Sequence, residues 1–134
     1  MAEYSMNEVI KEWIDKAEGD YFSAGREYRA RKHPNYDAAR FHAQQCIEKY
    51  LKGTLQSNST EFDKTHDLAV LLKACSRHNP LWAPWEDDMK MLSRFAVMFR
   101  YPGECATRED AGRALRAMKI YRIEIRKALG LQEE

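Results

Sequence analysis

Apolar residues recur between residues 39 and 51 at the steps of a helix. With about 100° per residue, Ala39, Ala43, Cys46, Ile47, Tyr50 and Leu51 gather on one side. His42, Gln45, Glu48, Lys49 and Lys52 gather on the other. The first set is what a core needs. The second is denser in hydrogen-bonding groups than a solvated face requires. Its amides and ammonium groups offer donors in a line, which suits phosphate or a polar partner surface. The plainer reading is that Gln, Glu and Lys are good surface helix formers.

The same periodicity predicts four further helices. The first runs from Met6 to Arg31, with Ile10, Trp13, Ile14, Ala17, Tyr21, Ala24 and Tyr28 on one face. Asp20 lies at its apolar edge and reads as a solvent-facing acid, with reach to another helix as the alternative. His33-Pro34-Asn35 breaks the chain, and Asn35 caps a second helix from Tyr36 to Gln56. So short a break predicts an antiparallel pair. Ser57-Asn58-Ser59-Thr60 reads as a flexible loop. A third helix starts near Thr65-His66-Asp67, capped by Asp63 or Thr65, and carries Leu68, Leu71, Leu72 and Cys75 inward. His66 in its first turn reads as a structural hydrogen-bonder before a catalyst. Trp82 and Trp85 lie in a proline-bounded connection that covers an end of the core or offers a partner surface. A fourth helix runs from Glu86 to Arg100-Tyr101-Pro102-Gly103, with Met91, Leu92, Phe95, Met98 and Phe99 inward. The last opens at the capping signal Thr107-Arg108-Glu109-Asp110 and ends at Gly130. Its predicted buried side is Ala111, Ala114, Leu115, Met118, Tyr121, Ile125 and Leu129; Arg116, Lys119, Arg122 and Arg126 form a basic stripe beside it.

The expectation is therefore an all-α protein, a single domain over residues 1–134, built as an up-and-down antiparallel bundle of about five helices. Composition agrees: 134 residues, 44% hydrophobic, 32% charged and poor in Gly and Pro, suit one helical core. No apolar run reaches the roughly 18 residues of a membrane span, and the start MAEYSMNEVIKEW lacks a signal-peptide core. Three cysteines without a CxxC pair point to free thiols and a cytoplasmic location. A net charge of +1 argues against general coating of nucleic acid. That sum hides an asymmetry. Residues 1–20 carry six acids against two lysines, and residues 107–127 carry seven bases against three acids. Opposite ends of this kind can pair with each other or with a second copy.

Most chemical signatures are absent. There is no Gly-rich phosphate loop, HExxH or metal-finger spacing, so no metal and no cofactor is expected. His42 and Cys46, an i, i+4 pair, are two ligands without nearby acids and make a poor metal site. As a nucleophile Cys46 is no better, because a core-facing thiol is inert.

The order of motifs nevertheless resembles a known family. Trp13-x3-Ala17-x2-Asp20-Tyr21 comes first, then Phe41-His42-Ala43-Gln44-Gln45-x2-Glu48-Lys49-x2-Lys52, then Thr65-His66-Asp67-Leu68, then Arg100-Tyr101-Pro102. Over residues 8–129 this is similar to the HEPN domain, named for higher eukaryotes and prokaryotes nucleotide-binding. The resemblance implies a helical bundle that commonly forms a homodimer. Many small bacterial members sit beside a minimal nucleotidyltransferase partner, often as a toxin–antitoxin pair. Members that are metal-independent ribonucleases carry an Arg followed four to six residues later by His. Arg100 matches that arginine, but residues 101–107 contain no histidine. A general acid–base pair needs a group that titrates near neutral pH, and arginine does not. No catalytic residue is therefore assigned, and the chain is not expected to be an enzyme; a ribonuclease toxin stays as an alternative, as does a purely structural dimerising partner. The candidate ligand-binding residues are His42, Gln45, Lys49, Lys52, His66, Arg100 and Tyr101, and the candidate ligands are a nucleotide phosphate or an acidic loop of a partner protein. RNA as a partner is left open.

Overall fold

A computed structural model describes residues 7–94 and 103–131. Its helices are α1 (Glu8–Arg29), α2 (Tyr36–Ser57), α3 (Leu68–Ser76), α4 (Glu86–Ser93) and α5 (Arg108–Ala128), with a 3-10 turn over Pro80–Trp85; there is no strand among the described residues. Side-chain caps set most of the starts. Asn7, Asn35 and Asp67 accept from the backbone N–H groups of Ile10, Ala38 and Ala69. Thr107 and Asp110 form a reciprocal capping box that opens α5. The cap of α3 is thus Asp67, in place of the expected Asp63 or Thr65, because the chain stays extended through residue 67 and enters the helix only at Leu68.

Two helices end in the same way. After α5, Gly130 takes a positive φ of 75°, its N–H bonds to the Lys127 carbonyl and that of Leu131 bonds to Arg126. After α2 the same pair of bonds runs from Ser59 to Gln56 and from Thr60 to Leu55, with Ser59 at φ 55°. The supposed flexible loop at residues 57–60 is therefore an ordered helix cap.

α2 is the axis of the molecule and packs against α1, α5, α3 and α4. Cross-contacts fix the directions. Asp20 meets His42 and Lys49, and Tyr28 packs on Tyr36, so α1 and α2 run antiparallel. Glu18 meets Arg122 and Tyr28 lies beside Gly112, so α1 and α5 are antiparallel too. Residues 58–67 then carry the chain back along α2, which sets His66 beside Gln44 and Glu48.

The core is in the main the one predicted by the periodicity; on α4, however, Met89 and Leu92 are the buried residues and the expected Met91 is only partly so, while Glu48 and Lys52 of the polar side of α2 are buried as well. Ala39, Ala43, Cys46, Ile47, Tyr50 and Leu51 of α2 are fully buried, as are Leu68, Leu71, Leu72 and Cys75 of α3 apart from traces. The seven expected positions of α5 are buried as well. Each large aliphatic side chain removed from water in this way contributes about 1.5–3 kcal/mol. Trp82 is buried and stacks on Trp85 at 4.7 Å, and Trp85 lies against Tyr121. These tryptophans close one end of the core. Phe95, Met98, Phe99, Arg100, Tyr101 and Met6 lie outside the described residues.

Candidate functional site

The polar side of α2 is built by four-residue spacing. Gln44, Glu48 and Lys52 are stacked one turn apart and are all buried. Gln44 Nε2 donates to Glu48 Oε1 at 2.9 Å, and Lys52 Nζ donates to Glu48 Oε2 at 2.9 Å. His66 reaches the same carboxylate from the α2–α3 connection, with Nδ1 at 3.0 Å and 3.1 Å from its two oxygens. Gln44 Nε2 also bonds to the His66 carbonyl at 3.2 Å, and Gln45 Nε2 to Gln44 Oε1 at 2.8 Å. The Lys52 ammonium lies 5.7 Å from the Trp13 ring centre, which covers it from α1.

A second cluster joins α2 to α1. His42 Nδ1 is 2.7 Å from Asp20 Oδ1, and Lys49 Nζ donates to Asp20 Oδ2. Asp20 is only 8% exposed. Its expected place in solvent is therefore wrong: the register of the α1–α2 pair turns it inward onto two partners. A third cluster sits beneath these. Glu18 binds Arg122 of α5 at two points, accepts from the Tyr50 hydroxyl, and faces Arg126 at 3.7 Å.

All three carboxylates are held ionised. Burial works to raise each of them. Hydrogen bonds from His42 and Lys49 at Asp20, from Lys52, Gln44 and His66 at Glu48, and from Arg122 and Tyr50 at Glu18 prevail, and each ends below the usual carboxylate range. An ionised carboxylate only accepts, so the Nδ1 of His42 and of His66 carries the proton in each bond. Burial pushes the Cys46 thiol well up and that of Cys75 to about 12, which leaves both as inert core groups.

Of the residues singled out from sequence, His42 and Lys49 meet on Asp20, while Gln45, Lys52 and His66 gather around Gln44 and Glu48. Arg100 and Tyr101 fall outside the described residues. Sequence reasoning passed over Asp20, Gln44 and Glu48 as site residues, although they are the hubs. The i, i+4, i+8 series Gln44-Glu48-Lys52 was the available signal. The basic stripe of α5 divides: Arg122 and Arg126 turn in to Glu18, while Arg116 and Lys119 stay exposed.

The helical arrangement has a counterpart in a known family. The family model for the HEPN domain matches residues 10–127. The chain belongs to the HEPN family. The crystal structure of an archaeal HEPN homologue shares the fold with a TM-score of 0.67 and 22% identity, covering 90% of this chain and 97% of that one. A comparison with curated proteins finds no match. In this HEPN chain His42 and Lys49 pair with Asp20 across α1 and α2, Lys52 pairs with Glu48 within α2, and no helix among the described residues is long and apolar enough to cross a membrane.

Proposed function

We propose that this HEPN chain acts by binding protein: it forms a homodimer and pairs with a minimal nucleotidyltransferase in a system of toxin–antitoxin type. The observation that carries this reading is the neutralisation of the α2 seam from within. Lys49 is paired with Asp20 and Lys52 with Glu48, so the seam presents no net positive charge to a phosphate. What it presents is the partly exposed edge of His42, Lys49 and Gln45, and an imidazole at His66 that is 70% exposed. A neutral rim of directional hydrogen-bonding groups fits a protein surface better than a triphosphate. The order of the family motifs supports the nature of the partner. Co-expression with the product of the neighbouring gene tests it: a nucleotidyltransferase that co-elutes is the expected result, and a neighbour of another kind or two separate peaks would argue against it.

A nucleotide is the second reading. It is favoured by an open groove of about 370 Å³ lined by His66, Asp67, Lys90 and Ser93. Calorimetry with ATP, GTP and their diphosphates decides it, since the absence of heat removes the nucleotide. The ribonuclease alternative needs growth arrest on expression that Arg100→Ala abolishes.

A further inference from the structure

Glu48 and His66 form a pair whose chemistry the protein-binding reading does not use. The Glu48 side chain is 4% exposed, whereas that of His66 is 70% exposed. Both carboxylate oxygens face Nδ1, at 3.0 Å and 3.1 Å, so the ring is held by that nitrogen with its proton in place. Gln44 Nε2, on the His66 carbonyl, holds the backbone behind it. A neutral ring held in this way carries its lone pair on Nε2, which has no partner among the described residues. The other histidines lack this combination. His42 is also held at Nδ1, by Asp20, but only 25% of its side chain is exposed. His33 and His78 are exposed without a carboxylate partner among the described residues, and His78 Nε2 lies 3.4 Å from the Thr60 hydroxyl.

The groove of about 370 Å³ beside the ring adds groups that suit an anion. Lys90 is tied only to Glu86, at 3.1 Å in an exposed pair that holds it weakly. Ser93 Oγ accepts from the Leu68 N–H at 2.8 Å, which leaves the hydroxyl proton to donate. Asp67 is the opposing charge on this rim, and its Oδ1 is taken by the Ala69 N–H.

We propose that His66 Nε2 is a phosphoryl-acceptor site that takes the phosphoryl group of a phosphoramidate, a donor whose phosphorus is bonded to nitrogen. The Nε2 lone pair forms the new N–P bond as the donor's P–N bond breaks. The leaving nitrogen keeps that electron pair and departs as a neutral amine, because it is already protonated in the donor. The His66 ring retains its Nδ1 proton and turns positive as the bond forms. Glu48 supplies the compensating charge from a buried position, where attraction is little screened. Lys52, at 2.9 Å from Glu48 Oε2, offsets part of it. One N–P bond replaces another, so the exchange needs no oxidant and no further reactant. Lys90 and the Ser93 hydroxyl are the donors for the phosphoryl oxygens. Glu48 is a positioning residue, since it touches the imidazole and not the phosphorus.

The probe is potassium phosphoramidate, added to the full chain. Tandem mass spectrometry without acid follows each histidine over time, and phosphorus NMR identifies the nitrogen that carries the group. His33 and His78 are internal references. His66 is expected to react at Nε2, about tenfold faster than either, the equivalent of one pKa unit of added imidazolium stabilisation. Glu48→Gln keeps an acceptor oxygen for Nδ1 but removes the charge, and should bring the His66 rate down to that of His78. Lys90→Gln should slow His66 and leave His78 as it was. Circular dichroism melting checks the fold; if Glu48→Gln melts early, the ratio of His66 to His78 in wild type and in Lys90→Gln carries the test. A His66 rate no higher than that of His78, a phosphoryl group on Nδ1, or a ratio unchanged in folded Glu48→Gln or in Lys90→Gln would each overturn the proposal.

Discussion

Glu18 grips Arg122 at two points, Oε1 to Nη2 and Oε2 to Nε, both at 2.7 Å. The same carboxylate takes the Tyr50 hydroxyl, to which Arg126 donates at 3.0 Å. One acid on α1 thereby ties α2 and α5 together, and the Tyr21 ring covers the Arg122 guanidinium at 4.1 Å. Glu18→Gln would take away the carboxylate charge that holds the buried Arg122 at two points. Urea unfolding should show a loss of about 3–5 kcal/mol, the usual result of removing one partner of a buried pair. A loss below about 1 kcal/mol, typical of an exposed pair, would contradict the structural role given to Glu18.

Acid should unfold the protein through the same carboxylates. Glu18, Asp20 and Glu48 each have a lowered folded-state value, so the folded form binds fewer protons than the unfolded chain as pH falls. Their contribution is fully present above the unfolded values of about 4 and is lost as pH drops through the folded ones. Urea midpoints should therefore be nearly flat between about pH 7 and 5 and should fall below about pH 4.5. Glu48→Gln should flatten that fall. A midpoint that rises on acidification would show the sign to be wrong.

Two glycines within helices should respond in opposite ways. Gly19 on α1 has open space where a Cβ would stand, so Gly19→Ala should raise stability by about 0.5–1 kcal/mol through helix propensity. Gly53 lies where α2 crosses α1, and a Cβ there would come within 3.2 Å of Ile14 Cδ1 and 3.3 Å of Trp13 Cβ. Gly53→Ala should cost about 1–3 kcal/mol by overpacking, less the same propensity gain. Thermal melts of the pair check this. Equal shifts of one sign would deny the close approach of the two helices.

Ser59 offers a gain. It holds a positive φ of 55° at the end of α2, a conformation that costs a residue with a Cβ roughly 1–2 kcal/mol. Ser59→Gly should raise the melting temperature by a few degrees, as glycine relieves that cost at some expense of chain entropy. A lower melting temperature would mean that the Ser59 side chain contributes more than its backbone strain removes.

The helices were legible in the sequence because periodicity and caps are local. Ala39 to Leu51 on α2, Ala111 to Leu129 on α5 and the Thr107–Asp110 box are all read from residues within a turn or two of each other. The partners of the polar groups are set otherwise. Whether Asp20 meets Lys49 or water depends on the register of α1 against α2, and a single helix's pattern does not encode that. For the same reason Arg122 and Arg126 turned inward while Arg116, on the same stripe, stayed out. His66 came to Glu48 only because residues 58–67 run back along α2, which a loop composition does not reveal. The candidate site was therefore visible as a list of polar residues, with its central carboxylates missing from the list.

Light scattering on the purified chain, alone and with the product of the neighbouring gene, tests most directly whether it works as a binding module. The account predicts a particle of twice 15.7 kDa alone and a larger one with the partner. A particle of 15.7 kDa at micromolar concentration that the neighbour leaves unchanged would contradict it.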